Sequence, residues 1–375
     1  MIIKLGEVAS FVNGYAFKPS DWSDNGMPII RIQDLTGNSY KMNRYNGDIE
    51  QKYKVQDGDV LISWSASLGV YVWHGENAVL NQHIFKVVFD KTDVSKDYFV
   101  YQIEYRLGNA ASEAHGATMK HLTKSVFNAL PFYLPKKEEQ EKIAKVLNKI
   151  TELTNKTRKQ AKLLDDIIKS RFIEMFGDVI YNDKKWECKR FSDITTSRLG
   201  KMLDTKHQTG TCQYPYLANF NVQWFRFELN NLNEMDFDEK EQVEFCLKDG
   251  DLLVCEGGEI GRCAVWHSQI KKCFFQKALH RVRCNQKIIL PDYLSWWFKY
   301  NCDNGGFSVI EGAKATISHL TGAKMKVLNV VVPPIELQEQ FVVFLRETDK
   351  SKLAVQKSLD ELETLKKSLM QEYFG

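Results

Sequence analysis

The sequence predicts two mixed α/β (α+β) domains in pseudo-twofold tandem repeat, joined by two long antiparallel coiled-coil helices. Three observations predict it. Short motifs recur at a fixed distance, strand-like and helix-like runs follow one another in the same order in both halves, and each half ends in a long heptad-patterned segment without a helix breaker.

The recurrence begins with "GATMKHLT" at 116–123 and "GAKATISHLT" at 312–321. Ala117 and Ala315, His121 and His319, and Thr123 and Thr321 are each 198 residues apart. The same offset relates Pro135 to Pro333, Gln140 to Gln338, Leu147 to Leu345, Ser170 to Ser368, and "MFG" at 175–177 to "YFG" at 373–375. A shared register over so long a stretch is duplication. Upstream the match loosens: "DGDVLIS" at 57–63 parallels "DGDLLVC" at 249–255, Trp73 parallels Trp266, and Pro28 parallels Pro215, at offsets of 192, 193 and 187. The two copies therefore differ by insertions in their globular parts and agree in their joins.

Within the globular parts, "DGDVLIS", "GVYVWH" and "HIFKVVF" read as strands separated by turn signals, and so do "GDLLVC", "RCAVW" and "HRVRC". "SKDYFVYQIEYRL" and "LPDYLSWWFKYN" read as helices whose aromatics fall at core spacing. The expected division is a first domain over 1–140, its helix over 141–177, a second domain over 178–338 and its helix over 339–375.

In the first tail Ile143, Leu147, Ile150, Thr154, Thr157, Ala161, Leu164, Ile168, Arg171 and Met175 alternate in steps of four and three. Phe341, Leu345, Thr348, Lys352, Val355, Leu359, Leu362, Lys366, Leu369 and Tyr373 repeat the seam in the second. Neither tail has an internal Pro or Gly, and each stops at a glycine, Gly177 or Gly375. Ile143, Leu147, Ile150 and Leu164 are expected to pair with Phe341, Leu345, Leu359 and Leu362. Polar residues at mid-seam would leave either helix marginal alone, and the duplication favours an antiparallel pair. Thirty-five residues from 142 to 176 would span about 50 Å. The alternative is that each tail is an ordinary amphipathic helix packed on its own domain.

Hydrophobic residues at 43% and charged residues at 26% describe a folded chain. No apolar run approaches the ~20 residues of a membrane span, and "MIIKLGEVAS" lacks the pattern of a signal peptide, so a cytoplasmic location is expected. A net charge of +3 decides nothing about nucleic acid, which depends on charge distribution. All eight cysteines lie in the second half, without a C-x-x-C pair, and are read as reduced structural thiols and not metal ligands.

The usual catalytic constellations are missing. Thr195 stands where a phosphate loop ending at Gly200-Lys201 needs its first glycine, and there is no H-E-x-x-H helix or G-x-S-x-G elbow. "CEGGEIGR" at 255–262 reads as a hairpin tip. "VVPP" at 331–334 shares only its prolines with the Asp/Asn-Pro-Pro-Tyr motif of adenine methyltransferases, because Val332 and Ile335 replace the carbonyl donor and the aromatic platform. No catalytic residue and no metal ligand is assigned.

Two variable domains, each followed by a long helix, with Ala-Thr-x-x-His-Leu-Thr and Pro-x-x-x-x-Gln-Glu ahead of each helix, resemble the specificity (S) subunits of type I restriction-modification systems. "GDVL"/"GDLL", "LNQHIFKV", "PKKEEQEKIAKVL" and "PPIELQEQFVVFL" carry the resemblance across essentially the whole chain. It implies that each variable segment is a target recognition domain reading one half of a bipartite double-stranded DNA target. It implies also that the helices set the spacing and dock two methyltransferase subunits, with restriction subunits added for cleavage. S-adenosylmethionine is then expected on the methyltransferase partner and no cofactor on this chain. The alternatives are a relative of single-chain restriction-methylation enzymes and a scaffold that does not bind DNA.

Base edges are read most often by Arg or Lys at guanine and Asn or Gln at adenine. Tyr15, Lys18 and Arg31 in the first copy, and Lys201, Lys206, Asn219 and Arg262 in the second, are the candidates at loop positions. Thr118, Lys120, His121, Thr316, Ser318 and His319, in the repeated joins, are candidates for the sugar-phosphate backbone.

Overall fold

The computed structural model describes the chain except Tyr40, Ala66, 114–123, 204–207 and 308–318. The chain divides into two units, Met1–Gln160 with Val355–Gly375, and Ala161–Ala354.

In the first unit the strands are β1 (Ile2–Lys4), β2 (Ser10–Asn13), β3 (Met27–Ile30), β4 (Arg44–Tyr45), β5 (Lys54–Val55), β6 (Val60–Ser63), β7 (Gly69–Val72), β8 (Ala78–Leu80), β9 (Ile84–Val88) and β10 (Pro131–Tyr133). One antiparallel sheet runs β2-β9-β6-β7, a second runs β4-β3-β8-β5 with β3 and β8 parallel, and β1 pairs with β10. The three strands expected from the sequence are β6, β7 and β9. Apolar β6 is buried on both faces, which is why it reads as a continuous run. Val60 and Ile62 enter a core with Phe11, Phe85 and Phe99 of the helix Lys96–Glu113, while Leu61 enters another with Ile30, Val55 and Leu80.

The second unit repeats this plan with β11 (Glu187–Arg190), β12 (Thr195–Leu199), β13 (Gln213–Leu217), β14 (Val222–Gln223), β15 (Arg226–Phe227), β16 (Asn233–Asp236), β17 (Leu252–Cys255), β18 (Cys263–Val265), β19 (Phe274–Phe275), β20 (Leu279–Cys284) and β21 (Asn329–Val332). β12-β20-β17-β18 corresponds to β2-β9-β6-β7, β11 pairs with β21 as β1 does with β10, and β13 runs parallel to β19 as β3 does to β8. Leu252 and Val254 face one core, Leu253 and Cys255 the other. The expected aromatic helix is Pro291–Asp303. Residues between Cys255 and Cys263 form the loop of the antiparallel β17-β18 hairpin, as their glycines suggest.

The tails are single helices, Lys137–Phe176 and Ile335–Phe374, of 40 residues each. They begin about four residues before the expected positions, directly behind Pro135 and Pro334, with Glu138, Glu139 and Glu336 in their first turns, where a carboxylate opposes the positive end of the helix. The first ends at Gly177, whose φ of +76° suits glycine.

The two units divide the helices in mid-length. In the first unit Arg158 pairs with Glu363 at 2.6 Å, and Ile143 and Leu147 share a core with Met370 and Phe374. In the second unit Lys352 pairs with Asp165 at 2.6 Å, and Phe172 and Phe176 pack on Phe341. Within each unit, therefore, the early part of one helix lies against the late part of the other, and the segments run antiparallel. Ile143, Leu147, Ile150, Phe341 and Leu345 are buried; Leu164, Leu359 and Leu362 are half-buried. The polar seam residues are satisfied locally: Thr154 donates to the Ile150 carbonyl at 2.8 Å, Thr157 to Leu153 at 2.9 Å, and Thr348 to Phe344 at 2.9 Å.

The repeated Gln140 and Gln338 explain why Pro-x-x-x-x-Gln recurs. Gln140 donates to the Pro135 carbonyl at 2.9 Å and accepts from the Ser95 N–H at 2.8 Å. Gln338 donates to Pro333 at 2.8 Å and Ile288 at 3.0 Å, and accepts from the Leu290 N–H at 2.9 Å. Each amide is almost wholly buried and ties the start of a long helix to the start of the aromatic helix beside it.

Candidate nucleic-acid interface

Glycine places the first pair of candidates. A Cβ on Gly14 would lie 2.2 Å from the Asn81 carbonyl oxygen, and one on Gly200 would lie 2.3 Å from that of Gln276. These close approaches let Tyr15 bridge to Asn81 and Lys201 to Gln276 in the same parallel sense. Tyr15 and Lys201 thus occupy equivalent positions in the two copies, with different outcomes. Tyr15 is exposed, its ring meeting Phe17 and Tyr53 edge-on at centroid distances of 5.0 and 5.5 Å. The Lys201 ammonium turns inward to Glu241 at 2.5 Å and the Asp236 carbonyl at 2.6 Å, over the Phe237 ring. An apolar and anionic surround thus holds the ammonium of Lys201, a DNA-binding candidate, against the fold.

Lys18 is exposed at the start of a short helical turn. Arg31 lies just after β3. Its backbone N–H donates to Asp34 Oδ2 at 2.8 Å, its Nε lies 3.5 Å from the same oxygen, and its guanidinium sits 5.8 Å from the centre of the half-exposed Trp22 ring. Trp22 and Asp34 were not singled out from the sequence. The signal for Asp34 was its i,i+3 spacing from Arg31; nothing local marks Trp22, which comes from another loop.

Asn219 and Arg262 are brought together. Arg262 Nη2 donates to both the carbonyl and the Oδ1 of Asn219 at 3.0 Å, and Asn219 Nδ2 donates to the Gly257 carbonyl at 3.1 Å. They clasp the β17-β18 loop, so the two candidates form one hydrogen-bonded pair. His319 is exposed against that loop, close enough that a Cβ on Gly257 would lie 2.9 Å from its Nδ1, while Leu320 N–H donates to the Glu256 carbonyl at 2.8 Å. Thr321 then caps the helix Gly322–Lys326 through the Lys324 N–H. The described end of the second join is thus bound to the second globular domain. Thr118, Lys120, His121, Lys206, Thr316 and Ser318 lie outside the described residues.

Beside this join is a cleft of about 960 Å³, lined among others by Ser197, Arg198, Lys201, Glu256, His280 and Thr321. Burial holds the His280 imidazole below its ordinary pKa, Glu256 opposing more weakly, and its Nε2 is buried without a hydrogen-bond partner among the described residues. All eight cysteines are free, and burial pushes Cys255 up to about 11 and Cys273 to about 12, so both remain thiols at neutral pH. Among the described residues no group of three or more His, Cys, Asp or Glu is placed to hold a metal ion, and no helix is long and apolar enough to cross a membrane.

The arrangement offers loops bearing cations, amides and exposed aromatics on a duplicated scaffold, which suits recognition of a surface in two parts. Comparison with known proteins agrees. The chain is 25% identical over 328 residues to the type I restriction enzyme EcoBI specificity subunit of Escherichia coli, covering 79% of this chain and 68% of that protein. It is 28% identical over 215 residues to the MjaIX specificity subunit of Methanocaldococcus jannaschii, covering 51% and 49% of the two chains. Among solved structures, a type I restriction-modification S subunit from M. genitalium aligns over 100% of this chain and 96% of its own, with a TM-score of 0.58 and 13% identity. A chain from a structure describing assembly and conformational transition of the type I system aligns over 100% and 97%, at 0.55 and 14%. These two likenesses concern the fold. The model of the type I restriction modification DNA specificity domain matches residues 1–164 and again 173–364, once on each copy of the repeat, and the chain belongs to that family.

Proposed function

We propose that this chain is the DNA-reading specificity subunit of a type I restriction-modification system and does no chemistry itself. Each domain reads one half of a bipartite duplex target. The paired long helices set the distance between the halves and dock two methyltransferase subunits, which carry S-adenosylmethionine; restriction subunits join for cleavage. The observation that carries the reading is the doubled family domain, matched in its joins and divergent in its loops. Where the first copy has an exposed Tyr15 and a half-buried Arg31, the second has Lys201 folded inward and Ala218. Divergent loops on a common frame suit two different half-sites.

The test is a gel-shift series with duplex DNA over rising salt, with and without a methyltransferase partner, alongside a methyl-transfer assay. Binding that weakens steeply with salt, and methyl transfer only when the partner is present, are expected. Methyl transfer by the chain alone would contradict the non-catalytic assignment, and absence of DNA binding by the complex at low salt would contradict DNA reading altogether.

A further inference from the structure

We propose that Arg31 reads a guanine of the half-site bound by the first domain, through O6 and N7, and that Asp34 and Trp22 are its positioning residues. The inference rests on the DNA-reading function proposed above and names the base and the atoms.

A guanidinium has two hydrogen-bonding edges, one formed by Nε and one Nη, the other by both Nη atoms. In Arg31 the first edge faces Asp34, with Nε 3.5 Å from Oδ2, and Cζ lies 5.8 Å from the centre of the Trp22 ring. The second edge makes no hydrogen bond among the described residues, and the side chain keeps 22% of its exposure while that of Asp34 keeps 1%. A buried carboxylate thus lies at the base of a fork whose outer edge has no hydrogen-bond partner among the described residues. Asp34 Oδ1 is buried without a hydrogen-bond partner among the described residues.

The second domain supplies an internal comparison. Ile30 pairs in parallel with Leu80, and Leu217 pairs in parallel with Phe275, so Arg31 and Ala218 follow equivalent strand ends. At Ala218 the backbone N–H donates to Asn221 Oδ1 at 2.9 Å, as that of Arg31 donates to Asp34. An amide therefore closes this turn as well as a carboxylate does. The negative charge of Asp34 is not needed for the turn; it occurs in the copy that has an arginine to hold.

Lys18 is exposed, but as a point charge it does not present two parallel donors; two further cations of the first domain are engaged. Arg44 is bound to Glu76 at 2.6 Å and to the Gly26 carbonyl at 2.6 Å, and Lys86 to Asp59 at 2.9 Å and the Lys54 carbonyl at 2.7 Å. Two parallel donors from one planar group match guanine O6 and N7, whereas adenine offers a donor beside its N7 acceptor and repels the fork.

The test begins by mapping methylated sites with the chain and its methyltransferase partner, then measures binding to duplexes in which each guanine in turn is replaced by 7-deazaguanine, which lacks the N7 acceptor. One guanine, in one half-site, is expected to respond by roughly tenfold in the wild type and not at all in Arg31→Ala. Arg31→Lys and Arg31→Ala should lose about ten- to a hundredfold of preference for that guanine while the other half-site is read unchanged. Asp34→Asn, whose amide preserves the turn as Asn221 does, should fold normally and weaken the same single preference. If the wild type reads DNA but Arg31→Ala keeps every base preference, or weakens all sequences equally as loss of a phosphate contact would, the inference is overturned alone. A wild-type complex that binds no DNA at low salt overturns the function and the inference together.

Discussion

His280 shows how a single position differs between the copies. It lies on β20 opposite Val254, where β9 places Phe85 opposite Ile62, and in both copies the residue is buried. Phenylalanine has no polar atom to satisfy, whereas the imidazole leaves Nε2 unpaired. Because burial lowers the folded-state pKa while the unfolded chain keeps a value near ~6.5, the unfolded state takes up a proton first on acidification. The stability due to neutral His280 is present above pH ~6.5 and is lost as pH falls below it toward the folded pKa. His280→Phe should flatten this part of the profile and raise stability at pH 5.5 by about 1 kcal/mol, measured by denaturant unfolding at several pH values; parallel profiles for both proteins would refute it. At this scale the sequence was least legible. Lys201, Asn219 and Arg262 were named from residue type and loop position, and the partners the structure gives them, Glu241, the Gly257 carbonyl and each other, are tens of residues away. Whether a cation is free is a tertiary property.

Elements were more legible because their signals are periodic. The heptad spacing located both long helices, and their starts shifted only to the prolines that precede them. Short strands such as β3 and β8 went unread, since three or four residues that are nearly all buried show no alternation. The Pro-x-x-x-x-Gln repeat was visible, but its purpose needed the carbonyls and N–H groups that each glutamine joins. Gln338→Leu keeps the bulk and removes three hydrogen bonds, leaving the Leu290 N–H and two carbonyls unpaired. It should destabilise the second unit by about 2–4 kcal/mol, read as an earlier unfolding transition, with the Gln140→Leu effect falling on the first unit. Phe172 packs at once on Phe176, Tyr293, Tyr300 and Phe341. Phe172→Ala should cost about 3–5 kcal/mol, and a loss under 1 kcal/mol in the same unfolding measurement would show that the helix segments do not depend on this aromatic core.

For the whole molecule, the duplication was plain from arithmetic on one sequence, and with it the family. The proposed role adds that two reading domains act at a distance fixed by the helices, and this can be measured. Four residues inserted into each long helix, near Thr154 and near Lys352, lengthen each by about 6 Å, nearly two base pairs of B-DNA at ~3.4 Å. The resulting stutter is one that paired helices absorb. Seven residues preserve the heptad but add about 10 Å, near three base pairs, turning one half-site by about 100° around the duplex, so that variant should bind poorly or shift its gap further. The decisive measurement is the mapping of sites methylated by the four-residue variant with its methyltransferase partner, beside those of the wild type. The account predicts a bipartite target with both half-sites unchanged and a longer unread gap. A contiguous target, or activity confined to the original gap length, would contradict it.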